Sequence, residues 1–200
     1  MSFLERLLAI PVDERDAWVD GVLGIESPPP DRDLPRGAVP YLPCGVAEIL
    51  AMVRGIPLAA TDTLVDLGAG LGRVALLAHL LTGARAIGIE LQADLVAAAR
   101  ARTEALGLPE VEFIHGDMTG HIPDGTVLFM YAPCNGASFA HLLRRIEEVA
   151  GRHRIVLCAV DVVVPEVAWL RRLPSEPSID LFESAIRVNA NRALARFRST

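Results

Sequence analysis

The sequence predicts an α/β fold, a three-layer α-β-α sandwich in which short apolar strands alternate with helices. Three observations predict it. The run Val65-Asp66-Leu67-Gly68-Ala69-Gly70-Leu71-Gly72-Arg73 passes from an apolar strand through a glycine-rich turn into an apolar helix, the strand-turn-helix unit that such folds place at an anionic ligand or nucleotide cofactor. Further strand-length apolar runs recur at Arg85 to Glu90, Val111 to His115, Thr126 to Tyr131 and Arg154 to Val160, with helical spacing between most of them. Acids stand at the strand ends, Glu90 closing the second run and Asp117 following the third.

Length and composition set the bounds. Two hundred residues, 52% of them apolar, suffice for one sizeable core. A net charge of −6 and a pI near 5.4 argue against a nucleic-acid binder that works by neutralising phosphates. The start, Met1-Ser2-Phe3-Leu4-Glu5-Arg6, places charge where a secretory signal needs an apolar core, and no later stretch is a clean membrane-length run. A cytosolic protein without membrane partners is expected. Cys44, Cys134 and Cys158 are odd in number and lack paired spacing, so free thiols and no structural metal are expected.

In chain order, Ser2 to Ile10 and Val12 to Leu23 carry apolar residues at helical spacing, with Pro11 at the start of the second helix and Gly24 at its end. Residues 1–40 are expected to form a helical extension that packs on the main fold, the sharper alternative being a lid. Ser27 to Pro40, rich in proline and aspartate, reads as an extended connector. The cofactor-binding domain is expected over 41–200. Tyr41-Leu42-Pro43-Cys44-Gly45 leads into a helix from Val46 to Arg54, ended by Gly55 and Pro57. Thr63 to Leu67 is the first strand and Leu71 to Leu81 its helix. Arg85 to Glu90 is the second strand, ending on an acid about twenty residues past the glycine turn, where a nucleotide fold needs an acceptor for ribose hydroxyls. Asp94 to Leu106 is alanine-rich helix, stopped by Gly107 and Pro109. Val111 to His115 is the third strand, followed by Gly116-Asp117-Met118.

A dinucleotide fold uses Gly-x-Gly-x-x-Gly, and here the third glycine position is Arg73. The spacing Gly68-x-Gly70-x-Gly72, with Asp66 two residues ahead, resembles motif I of the class I S-adenosylmethionine (SAM) dependent methyltransferases. The resemblance covers about residues 41–187. It implies SAM as cofactor, and a seven-stranded, mostly parallel sheet finished by a C-terminal antiparallel hairpin, here Ala168 to Leu173 and Ile179 to Arg187. The implied cofactor contacts are Asp66, Gly68, Ala69, Gly70 and Gly72 in the first motif, Glu90 on the ribose, Leu91 beside the adenine, and Asp117 and Met118 on the adenine edge. Tyr41, in a Tyr-x-Pro segment ahead of motif I, and Tyr131 complete the set. That segment is similar to one in the lysine-modifying branch that lacks a SET domain, although Cys44 stands where a hydroxyl residue is usual there.

Thr126 to Tyr131 is the fourth strand and runs into Ala132-Pro133-Cys134-Asn135-Gly136, where class I enzymes place their substrate-facing motif. Asn/Asp-Pro-Pro-Tyr, found there in enzymes that methylate DNA bases or glutamine, is absent. Ala137 to Val149 is the next helix and Arg154 to Val160 the fifth strand, with Asp161 at its end. The tail, Asn189 to Thr200, reads as a surface strand or frayed end.

Methyl transfer from a sulfonium is an in-line displacement that needs alignment more than a metal or a covalent nucleophile. Tyr131 and Asn135 are the preferred substrate contacts. Tyr131, Asp161, His121 and His115 are the candidates for proton removal, while Cys134 lacks a histidine partner for nucleophilic work. The expected function is methyl transfer to a small molecule or a protein nitrogen, lysine among them. The alternatives are a SAM-binding regulatory or scaffold protein without chemistry and a nicotinamide-dependent oxidoreductase.

Overall fold

The computed structural model of the chain describes residues 1–25, 27–28, 34 and 37–185. The tail from Asn189, the last two residues of the expected hairpin strand and part of the connector lie outside the described residues. Three N-terminal elements come first: α1 (Phe3–Leu8), a 3-10 turn (Val12–Glu14) and α2 (Arg15–Leu23). Ser2 caps α1 in a reciprocal capping box with Glu5, and Gly24 ends α2 at φ +66°, a left-handed conformation that suits glycine. The remainder runs α3 (Val46–Gly55), β1 (Thr63–Leu67), α4 (Arg73–Thr82), β2 (Arg85–Glu90), α5 (Ala93–Leu106), β3 (Val111–His115), β4 (Val127–Tyr131), α6 (Gly136–Ala150), β5 (Val156–Val160), β6 (Leu170–Leu173) and β7 (Asp180–Ser184).

The strands form one seven-stranded sheet in the order β3-β2-β1-β4-β5-β7-β6. The first five are parallel; β7 runs antiparallel beside β5, and β6 antiparallel beside β7. This is the expected α/β architecture with its C-terminal hairpin. Because side chains alternate along a strand, the sheet feeds two cores. Leu64 and Phe129 join one with α3, α4, α5, Leu7, Val19 and Leu23. Val65, Leu67, Leu128 and Met130 join the other with Leu142, Ile146 and Val149 of α6. Among the described residues, α6 is the only helix on that second face. The loops 116–126 and 161–169 fill the rest of the layer with Ile122 and Trp169. No helix among the described residues is long and apolar enough to cross a membrane.

One boundary differs from expectation in a way that matters for the site. Helix α4 starts at Arg73 and not at Leu71, because Gly72 sits at φ +88° and leaves the turn, not the helix, to span Gly68 to Gly72. The order of strand addition reverses at β1: β2 and β3 build outward one way, β4 and β5 the other. A crevice therefore opens at the carboxyl ends of β1 and β4, the topological switch point where open parallel sheets bind ligands.

Candidate active site

An open cleft of about 930 Å3, counted to its mouth, occupies that crevice. Its walls include Tyr41, Gly68, Glu90, Leu91, Asp117, Met118 and Tyr131, so seven of the residues expected to bind cofactor or substrate converge. The strand order spreads them in sequence, with Asp117 and Met118 after β3 at one end, Glu90 and Leu91 after β2, Gly68 after β1, and Tyr131 at the end of β4.

Glu90 is buried, 8% exposed, yet borders the cleft. The Gly70 N–H donates to its Oε2 at 2.9 Å and the Gln92 N–H to its Oε1 at 2.8 Å. An ionised carboxylate has about four acceptor sites, so capacity for a ligand diol remains. Asp117 is exposed and accepts from the Thr119 N–H through Oδ1 at 2.7 Å, which orients the carboxylate at the rim.

Most amides of the glycine turn are already engaged within the fold. The Gly68 and Ala69 N–H groups both donate to the Ile89 carbonyl at 2.9 Å, Gly70 donates to Glu90, and Gly72 donates to the Ala69 carbonyl at 2.8 Å. The amides of Gly68, Ala69, Gly70 and Gly72 therefore all have partners within the fold. What the turn's glycines supply is close approach. A Cβ on Gly70 would lie 2.2 Å from the Tyr41 ring, and one on Gly72 would lie 2.4 Å from the Phe113 ring. Gly70 thus seats Tyr41, whereas Gly72 serves packing between α4 and β3. Ala69 is buried and, like Gly70 and Gly72, lies behind the cleft surface.

Asp66 lies deeper still, 2% exposed on β1, with Oδ2 lacking any hydrogen-bond partner. Burial, reinforced by the nearby Glu90 charge, raises its carboxyl to about 8, while a hydrogen bond with the Ala75 backbone pulls the other way. Burial and then Asp161 raise the Tyr131 phenol, which stays protonated at neutral pH. The three cysteines are unbonded and buried. Burial lifts Cys134 to about 11, so its thiol is un-ionised and a poor nucleophile. Asn135 is exposed at the start of α6, outside the cleft wall. His115 hydrogen-bonds the Leu91 carbonyl at 3.0 Å.

Two contacts escaped sequence reasoning. The connector crosses the cleft mouth as a short strap: Ala38 forms an antiparallel bridge with Cys134, and the Asn135 N–H donates to the Gly37 carbonyl at 3.0 Å. Arg73, noted in the sequence only as a missing glycine, is buried against α2. Its guanidinium donates to both oxygens of Asp20, at 2.9 and 2.5 Å, to Asp16 at 3.3 Å and to the Cys44 carbonyl at 2.8 Å. Pairings between segments this distant leave no local signal; an arginine at a helix start, where the dipole disfavours a cation, was the one anomaly available.

Sheet order and cleft together define a Rossmann-like nucleotide-cofactor domain. Residues 64–157 match the family model of a methyltransferase domain, and with a similar structure crystallised with the demethylated cofactor this marks the chain as a SAM-dependent methyltransferase. No curated protein matches it in sequence. Among solved structures it is similar to an RNA methyltransferase from Salinibacter ruber in complex with S-adenosyl-L-homocysteine (SAH), at 27% identity and a TM-score of 0.57, over 72% of this chain and 94% of that one. It also resembles a mutant of MtNAS in complex with SAM, at 20% identity and a TM-score of 0.56, over 70% of this chain and 62% of that one. The mitomycin 7-O-methyltransferase MmcR aligns at 18% identity and a TM-score of 0.55, over 70% and 53% of the two chains. The likeness to these last two is one of fold alone.

Proposed function

We propose that the cleft holds SAM with adenine toward Asp117 and Met118, ribose on Glu90, and the methionine end toward Gly68 and Tyr41. The acceptor is then an amine, on a small molecule or a protein side chain such as lysine, that approaches past Tyr131. The observation that carries the cofactor half is Glu90: a buried carboxylate, fixed by two backbone amides, that still borders the cleft at the carboxyl ends of the strands. When bound, SAM supplies a methyl already activated by its sulfonium.

The chain's own residues supply placement. Tyr131 separates the cofactor cleft from a second hollow lined by Glu48, Asp161 and Asp180. Asp180 is paired with Arg172, and the other two carboxylates, Glu48 and Asp161, favour a cationic acceptor over a phosphate, which is why the likeness to an RNA methyltransferase does not carry RNA over to this chain. A protonated amine must lose its proton before it attacks. Asp161, exposed at the end of β5, is placed to take it, while the protonated Tyr131 phenol donates a hydrogen bond and orients the nitrogen or a neighbouring group. Asn135, at the outer rim, is placed to touch a larger acceptor.

Calorimetric titration of the wild type and Glu90→Gln with SAM, SAH and NAD tests the cofactor half. SAM and SAH should bind, with about ten- to a hundredfold weaker affinity in the variant, the range for a hydrogen bond to a charged group. NAD should not bind. Binding of NAD alone, or unchanged affinity in Glu90→Gln, would refute the assignment. Transfer of labelled methyl to amines and lysine peptides, with RNA as comparison, tests the acceptor half.

A further inference from the structure

We infer that Arg73 is a positioning residue through which the N-terminal helices set the shape of the cofactor cleft. The inference rests on the reading that the cleft takes SAM. Arg73 is the first residue of α4, directly after the glycine turn, so its backbone is fixed by the site itself. Its side chain, 8% exposed, reaches the other way to α2. There it forms a two-pronged pair with Asp20 and a longer contact with Asp16, the geometry that gives guanidinium–carboxylate pairs their directionality.

The same network holds the segment that carries Tyr41. Arg73 Nη1 donates to the Cys44 carbonyl, and the Val46 N–H donates to Asp16 Oδ1 at 2.8 Å. The stretch between Tyr41 and α3 is thereby pinned at two points to α2 and Arg73. Upstream of those points the edge of the Tyr41 ring meets Gly70 with no room for a Cβ between them, and Gly70 in turn binds Glu90. A path therefore runs from Asp20 to Arg73 and the Cys44 carbonyl by hydrogen bonds, along the short backbone from Cys44 to Tyr41, and from the Tyr41 ring to Gly70 of the glycine turn. Loss of the guanidinium releases the Cys44 carbonyl, lets Tyr41 leave Gly70, and opens the methionine end of the cleft. The adenosine end, built by Glu90, Leu91, Asp117 and Met118, has no direct hydrogen bond to Arg73 or α2 among the described residues and meets the path only through the Gly70 amide, a backbone bond that the substitutions leave in place.

That asymmetry gives a readout that a merely structural role would not produce. Wild type, Arg73→Met, Arg73→Lys and Asp20→Asn are each titrated with SAH and with adenosine. Arg73→Met should bind SAH on the order of tenfold more weakly, about the loss of one charged hydrogen bond's alignment, while its adenosine affinity stays within about twofold. Arg73→Lys keeps the charge but not the fork and should fall between it and the wild type. If Arg73→Met does not fold, Asp20→Asn, a change of charge at nearly constant shape on the solvent side of the network, carries the test with a smaller shift in the same direction. Equal weakening of SAH and adenosine, or no weakening of either, would overturn the positioning role. A wild type that binds neither ligand would instead overturn the SAM assignment, and this inference with it.

Discussion

Asp66 shows how one buried carboxyl couples the site to pH. Its folded value of about 8 lies far above its ordinary value of 3.8. Between about pH 4 and 8, the folded chain keeps a proton that the unfolded chain has released, so stability falls as pH rises through that window and the cost is complete above it. Asp66→Asn has the shape of the neutral carboxyl and no proton to lose. Thermal unfolding from pH 4 to 8 should show the variant gaining on the wild type as pH rises; a difference independent of pH would mean that Asp66 ionises normally. The sequence placed Asp66 beside the cofactor by motif spacing alone. Its protonation could not be read there, because it follows from burial on β1 and from Glu90, twenty-four residues away along the chain, being its spatial neighbour.

At the scale of elements, α2 carries more than its sequence suggested. Leu23 and Val19 are 1% and 0% exposed in the same core as α3 and α4, and Asp16 and Asp20 face Arg73. Leu23→Ala should destabilise the protein by about 2–5 kcal/mol in urea unfolding, the cost of a cavity in a packed core. Leu8→Ala, at a 46% exposed position, should change stability by about 0.5 kcal/mol or less. Loss at both sites alike would mean that the helices fray as a unit. The strands were legible: Thr63–Leu67, Arg85–Glu90 and Val111–His115 stand where the apolar runs predicted them, because inner strands β1 and β2 are buried on both faces and run mostly apolar, while the edge strand β3 alternates. The start of α4 was not, because Gly72 adopts a left-handed conformation and packs against the Phe113 ring, forty-one residues away along the chain.

For the whole molecule, a ligand that binds only the folded chain raises the melting temperature. SAH at a hundredfold excess over its dissociation constant should add about 2.7 kcal/mol, or roughly 5–10 °C for a chain of this length, whereas NAD should leave the transition where it was. A shift with NAD alone would reverse the cofactor assignment.

By itself the sequence determined the alternation of strands and helices, the glycine turn and the acids Glu90 and Asp117 at successive strand ends. Each is a local pattern enforced by backbone sterics, side-chain periodicity or the length of one β-α unit. Only the tertiary structure decided that most amides of the turn are already engaged, that a strap from the connector pairs with Cys134, and that Arg73 ties α2 to the segment carrying Tyr41. Those are contacts between segments from about twenty to a hundred residues apart. No local propensity encodes such contacts, because the free energy that selects them comes from burying apolar faces around one sheet and satisfying the polar groups trapped between them.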